Sequence, residues 1–325
     1  MSQTLYLSRQ GCHVSLEAEY IIVRHQKNLI HQVQLPLIDL ILIFGYSQLT
    51  TQLIRACLQR GVTIAYLSKS GYCYGRLLPL QRSYPTFIGL QAQLSDAQKL
   101  FVAQQLIHAK LRNCRVILMR QQRRRFSPSL ELSINCLDRL AERSLQADTL
   151  QVLMGIEGSG AQHYYSALAD CFQHPQLSFQ GRSRRPPGNE INALLSFGYQ
   201  VLWNHLLGIV ENLGLDPYAG CLHQPHHNHA ALVSDLLEPF RAPIIDSLVL
   251  QLVNRGIIRP KDDFRFEEGG CFLNEHGRQR FLKHFIQRME QATQDEPFWR
   301  VLTRQVRAFG QWLQHPEHLW CYRIS

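Results

Sequence analysis

His223, Asp235 and Glu238 fall within one stretch, residues 220–246 (GCLHQPHHNHAALVSDLLEPFRAPIID), which follows the turn DPYAG at 216–220. An apolar helical pattern runs through it. On a helix, positions i and i+3 share a face, so Asp235 and Glu238 can point at one object. Two carboxylates and an imidazole converging on one point suit a hard divalent cation, Mg2+ or Mn2+, better than zinc, because no thiolate is required. The alternative is a solvated Asp/Glu pair beside a satisfied histidine, and spacing alone does not separate the two.

Basic side chains form a second kind of candidate. Lys110, Arg112, Arg115, Arg120, Arg123, Arg124 and Arg125 follow one another with no acid between them. They load the end of a helix whose apolar face is Leu100, Ala103, Ile107, Leu111, Cys114 and Leu118, with Ser95 as its N-cap. A solvated helix end favoured by the dipole is one reading; phosphate contact is the other, and so many unbalanced cations favour it. Arg182, Arg184 and Arg185 precede Pro186-Pro187, which forbid helix and hold the arginines on an extended loop. Arg241 sits beside acids it could pair with, so a structural ion pair competes there with a phosphate contact. Glu157 is a lone acid in GIEGSGA, 155–161, where small neighbours allow close approach; alone it reads as a surface residue.

Residues 1–88 read mainly as strand: 4–7, 13–17, 20–23, 31–37 and 40–44, then a helix over 50–60, then strands over 62–67 and 72–78. They hold eight Lys/Arg against three Asp/Glu and no catalytic constellation. The period changes near 84–90. Beyond it the pattern is helical: 130–149, 149–172, 191–211 after an Asn189 cap, 244–254, 275–291 and 297–315, with Gly256 and Gly269-Gly270 as stops. Helix 191–211 is apolar almost all round and should be central. The expected fold is α+β, a small N-terminal β-rich domain (1–88) followed by a larger all-α-helical domain (89–325).

A chain of 325 residues can bury a large core. No apolar run reaches the ~18 residues that cross a membrane, and the first twenty residues do not form a signal peptide. Nine scattered cysteines without a CxxC argue against a zinc ribbon or disulfide framework and for a reducing compartment. A formal net charge of +9 fits a nucleic-acid partner.

Four pieces, in order, carry a resemblance: the Glu157 helix E-G-x-x-A-x-x-Y-Y; R-x-R-R-P-P followed by N-A-L-L-S-F-G-Y over 182–199; G-L-D-P-Y then L-H over 214–223; and D-L-x-E-P-F-R with a later acid over 235–246. Together they resemble the universal integrase of CRISPR adaptation, the family called Cas one, over nearly the whole chain. The resemblance implies an N-terminal β-domain that dimerises and a helical catalytic domain that binds DNA. It implies a Mg2+ or Mn2+ ion held by Glu157, His223 and Glu238, with Asp235 as a supporting acid. It also implies a cytoplasmic homodimer, two of which flank a dimer of the small Cas two protein in a heterohexamer that joins 3′-OH ends of double-stranded prespacers to the CRISPR repeat. Two departures stand out. Cys221 replaces the usual aromatic before Leu-His, and the loop after His223 reads QPHHNH, whose His226, His227 and His229 are expected to be surface or DNA-facing. A transposon-borne relative is the competing setting, expected to lack or replace the β-domain; a non-catalytic DNA-binding subunit is the other, and the intact Glu157, His223 and Glu238 set argues against it.

Overall fold

The computed structural model describes residues 3–80, 85–124, 127–183, 186–223, 229–293 and 296–324. The N-terminal region holds β1 (Gln3–Leu7), β2 (Cys12–Glu17), β3 (Tyr20–His25), β4 (Asn28–Gln34), β5 (Ile38–Phe44), β6 (Ser47–Leu49), α1 (Thr51–Gln59), β7 (Thr63–Leu67) and β8 (Cys73–Leu77). They form two four-stranded sheets, ordered β1-β5-β7-β8 and β4-β3-β2-β6. β1, β5 and β7 are parallel and β8 closes their sheet antiparallel. The expected strand over 31–37 divides: β4 ends at Gln34, and Leu35–Leu37 form a 3-10 turn, where Pro36 has no N–H to give a ladder.

β5 (IDLILIF) is buried at every position but one, as a strand covered on both faces must be. Its alternation serves two cores. Ile38, Ile41 and Ile43 pack between the sheets and α1, while Leu40, Leu42 and Phe44 pack into the helical part. One face of β5 therefore belongs to the core of the helical part, and the other to the core of the β-rich region.

The helical part comprises α2 (Pro85–Ala92), α3 (Asp96–Gln122), α4 (Pro128–Ser144), α5 (Leu150–Ala169), α6 (Glu190–Asn212), α7 (Ala231–Leu237), α8 (Ser247–Asn254), α9 (Pro260–Asp263), α10 (Glu275–Glu290) and α11 (Phe298–Gln314). The period change at 84–90 coincides with α2 rather than with a linker. Ser95 makes a full capping box with Gln98, and the Asn189 side chain accepts from the Asn192 N–H. α6 matches a membrane span in length and mean composition, but Asn192, Gln200, Asn204 and His205 interrupt its apolar run and most of it is buried as the central core helix. The helical part also contains strands. β9 (Phe264–Glu267) and β10 (Gly270–Leu273) pair antiparallel, and the short β11 (Ala292–Thr293) pairs with β12 (Glu296–Pro297). Gly269 is not a helix stop: Glu268 and Gly269 have φ of 50° and 74°, the left-handed pair that closes a two-residue hairpin. All nine cysteines are thiols.

Candidate metal centre and nucleic-acid face

α3 and α5 approach closely at Gly160, where a Cβ would lie 2.3 Å from Leu111 Cδ2. That approach brings Lys110 of α3 onto Glu157 of α5. The Lys110 ammonium donates to Glu157 Oε1 and lies 2.6 Å from Glu238 Oε2. Two carboxylates far apart in sequence thus share one cation. Glu238 is almost wholly buried; its Oε1 is 3.1 Å from Arg241 Nε, and its Oε2 has no aligned hydrogen bond despite the nearby ammonium. Burial pushes the Glu238 carboxyl up, but Arg241 and Lys110 outweigh it and bring it down to about 2. Burial pulls Lys110 down, and Glu238 and Glu157 more than reverse this, so it stays charged.

Glu238 opens a 3-10 turn, Glu238–Phe240, followed by a π-helical turn, Arg241–Asp246, before α8 resumes. Pro239 and Pro243 lack N–H donors, so a regular helical ladder cannot run through the segment. Asp235, one turn earlier, points elsewhere. It is fully buried and accepts backbone N–H groups from Cys221 (2.6 Å), Leu222 (2.9 Å) and His223 (3.0 Å), and its Oδ1 lies 2.6 Å from His223 Nδ1. Gly220 makes this possible, since a Cβ there would lie 2.6 Å from the Ala231 Cβ and 3.0 Å from Asp235 Oδ2. The expectation that Asp235 and Glu238 face one object is corrected: Asp235 orients His223 and its turn, and Glu238 faces Lys110 and Arg241. His223 and Glu238 are close enough to feel each other's charge. Among the described residues, no group of three or more His, Cys, Asp and Glu is arranged to hold a metal ion. Glu157 and Glu238 are brought together through Lys110, and His223, held on Asp235, stands near Glu238.

Behind Glu238 lies a buried network that sequence alone does not assign. Asp246 accepts from Tyr164 Oη (2.9 Å) and from Tyr199 Oη, and Tyr165 and Tyr199 hydroxyls are 2.9 Å apart. Burial pushes Asp246 up to about 6, against the pull of the two tyrosines. Arg241 lies over the Tyr199 ring at 4.8 Å and Arg182 at 5.4 Å.

The basic stretches divide as well. Arg112 pairs with Asp138 and Glu142, and Arg115 Nε lies 3.2 Å from Asp138, so acids of α4 neutralise cations that have no acid near them in sequence. Arg123 and Arg124 are exposed; Arg125 lies outside the described residues. Arg182 donates to Ser183 O (2.6 Å), Asn192 Oδ1 (2.8 Å) and Ser196 Oγ (3.0 Å), bracing its loop on α6. Arg184, Arg185, His226 and His227 lie outside the described residues. His229 is half-buried, stacks on Trp203 and shares a hydrogen bond with Ser234 at 3.0 Å. Lys110 is the cation that sequence misplaces: its neighbours group it with phosphate-binding residues, and no local signal ties it to Glu157 or Glu238.

A family model described as CRISPR associated protein Cas1 matches residues 5–287. A Cas4/endonuclease Cas1 fusion of Geobacter sulfurreducens is 33% identical over 88% of this chain, which spans 53% of the fusion, about half its length. CRISPR-associated endonuclease Cas1 1 of Chlorobaculum tepidum is 30% identical, covering 91% of this chain and 88% of that protein. Among solved structures, a Cas1 protein of Thermotoga maritima superposes with a TM-score of 0.85 at 23% identity, covering 99% of this chain and 100% of that one. A Cas6-RT-Cas1–Cas2 complex superposes at 0.84 and 22% identity, covering 98% of this chain and 36% of that one. A casposase bound to integration product superposes at 0.83 and 22% identity, covering 98% of this chain and 92% of that one. The likeness to the casposase covers 98% of this chain and so takes in the β-rich region, which therefore does not separate the two settings as expected. With a family match over most of its length and a near full-length relative, the chain belongs to the Cas1 family of CRISPR-associated proteins.

Proposed function

We propose that this chain is a DNA endonuclease and integrase of CRISPR adaptation, dependent on Mg2+ or Mn2+, that joins prespacer 3′-OH ends to the CRISPR repeat by transesterification. The observation that carries this reading is the meeting of Glu157 and Glu238 at one cation, with an imidazole oriented beside them. The donor set fits a hard divalent ion: two anionic carboxylates, Glu238 Oε2 without an aligned hydrogen bond, and a histidine whose Nδ1 is held so that Nε2 is the atom left for coordination. When bound, such an ion polarises the phosphoryl oxygen and favours ionisation of the attacking hydroxyl. Glu157, His223 and Glu238 hold it, Asp235 fixes the His223 ring, and Arg241 keeps Glu238 ionised. Exposed Arg123 and Arg124 bind phosphate along the duplex, and Arg184 and Arg185 belong to the same proposal.

The expected assembly is a homodimer through the β-rich region, two of which flank a Cas two dimer in the cytoplasm. Its support is the exposed edge strand β4 with Leu29 and Ile30, beside Tyr20 of β3 on the outer sheet and Leu37 in the turn that follows. One structural relative is itself part of a Cas1–Cas2 complex. The test incubates the protein with Mn2+, a short duplex bearing 3′-OH ends and a supercoiled plasmid carrying a repeat, with and without Cas two. Branched products at the repeat, lost in Glu157→Ala, are expected. Equal joining to repeat-free plasmid without Cas two favours the transposon-like setting, and no joining with any divalent ion overturns the enzyme.

A further inference from the structure

We propose that the Lys110 ammonium is a built-in occupant of the divalent-cation position between Glu157 and Glu238, and that a metal ion binds there only as Lys110 withdraws. This rests on the metal-centre reading above. Lys110 comes from α3, Glu157 from α5 and Glu238 from the turn after α7, so the meeting is made by packing and not by neighbours in sequence. Two facing carboxylates, one nearly buried, repel each other unless a cation lies between them. Lys110 supplies that cation with a side chain only 13% exposed.

The oxygens it holds are the ones a metal needs. Glu238 Oε1 faces Arg241, and the remaining Oε2 faces Lys110; Glu157 presents Oε1 to the same ammonium. The two cations differ in freedom. Arg241 is fixed over the Tyr199 ring at 4.8 Å, whereas lysine carries a compact charge on a flexible four-carbon stem and can leave without moving its helix. A divalent ion offers the carboxylates twice the charge and direct coordination, so it displaces the ammonium above a concentration that Lys110 sets. Lys110 thus competes with the metal for both carboxylates and raises the metal concentration at which the centre assembles.

Direct measurement of Mn2+ binding tests this without reference to activity. The full chain is treated with chelator and titrated with Mn2+ while free ion is followed by electron paramagnetic resonance. Lys110→Met, which keeps the stem and removes the charge, is expected to bind Mn2+ about tenfold tighter than the natural chain. In chelator it should melt lower than the natural chain, and Mn2+ should raise its Tm by more. A purely structural lysine would give the opposite sign, weaker Mn2+ binding as the carboxylates fall out of alignment. Lys110→Gln, neutral but able to donate to one carboxylate, carries the same expectation should the Met variant not fold. Unchanged or weaker Mn2+ binding in these variants overturns the proposal. Glu157→Gln separates the two levels: if it abolishes Mn2+ binding, the metal centre stands whichever way Lys110 falls. If Mn2+ binding ignores Glu157→Gln, the metal-centre reading fails and the Lys110 proposal with it.

Discussion

Asp235 Oδ1 lies 2.6 Å from His223 Nδ1, and the same carboxylate accepts the backbone N–H groups of Cys221, Leu222 and His223. One fully buried acid therefore sets both the turn and the ring. Asp235→Asn removes its charge and turns one acceptor into a donor facing donors, an unsatisfied arrangement that costs roughly 1–3 kcal/mol. Gly220→Ala should act on the same turn, since its Cβ would press on Ala231 and Asp235. Both variants should melt lower and lose strand transfer together. Natural activity in Gly220→Ala would show that the turn does not position His223.

Asp235, chiefly through its hydrogen bond, raises the proton affinity of His223 above that of an ordinary imidazole, against the pull of burial. A protonated ring cannot ligate a metal. Proton and metal therefore compete for the ring: Mn2+ affinity should fall in acid, and Asp235→Asn should move that fall to lower pH. Mn2+ titrations of both proteins across pH decide it.

Glu157 and Glu238 should part in stability while agreeing in activity. Glu238→Ala leaves Arg241 without its carboxylate and Lys110 with Glu157 alone, and breaking such a buried pairing costs about 3–5 kcal/mol. Glu157→Ala leaves Lys110 its ion pair with Glu238, and the Glu157 side chain is 27% exposed, so the loss should be smaller. Each should abolish strand transfer, as should His223→Ala. Denaturant titration beside the joining assay reads both quantities; equal destabilisation by the two Glu variants would contradict the shared-cation arrangement.

His205 on α6 lies 2.5 Å from the Tyr6 hydroxyl of β1, and burial pulls it down to about 3 from 6.5. A depressed folded value means the proton binds the unfolded chain first. The contribution is complete above pH 6.5 and is lost as pH falls toward 3. At pH 5 that linkage costs about 2 kcal/mol. Chemical denaturation from pH 7 to 5 should show it, and His205→Gln should flatten this part of the slope.

The salt dependence of duplex binding should follow the ion pairs. Arg112→Ala with Arg115→Ala removes charges already matched by Asp138 and Glu142, so the log–log slope should stay unchanged. Arg123→Ala with Arg124→Ala, and Arg184→Ala with Arg185→Ala, should each flatten the slope on any sequence, by about 0.9 for every phosphate left without its arginine. An unchanged slope in these last two variants would place the DNA elsewhere.

Period and capping chemistry made the elements legible in the sequence. The apolar run of β5, the Ser95 and Asn189 caps and the all-round apolar α6 are local facts, because hydrogen bonding and burial within one element depend on its own residues. The motif order likewise named Glu157, His223, Asp235 and Glu238. Tertiary packing alone decided what those residues do. Packing sets Glu238 against Lys110 and Arg241 while Asp235 meets His223 and its turn, Gly160 lets α3 deliver Lys110 to both carboxylates, and α4 brings the acids that quench Arg112 and Arg115. Charge acts through space on whatever the fold places within a few ångströms, so a cation's partner across a helix interface leaves no mark in the sequence around it.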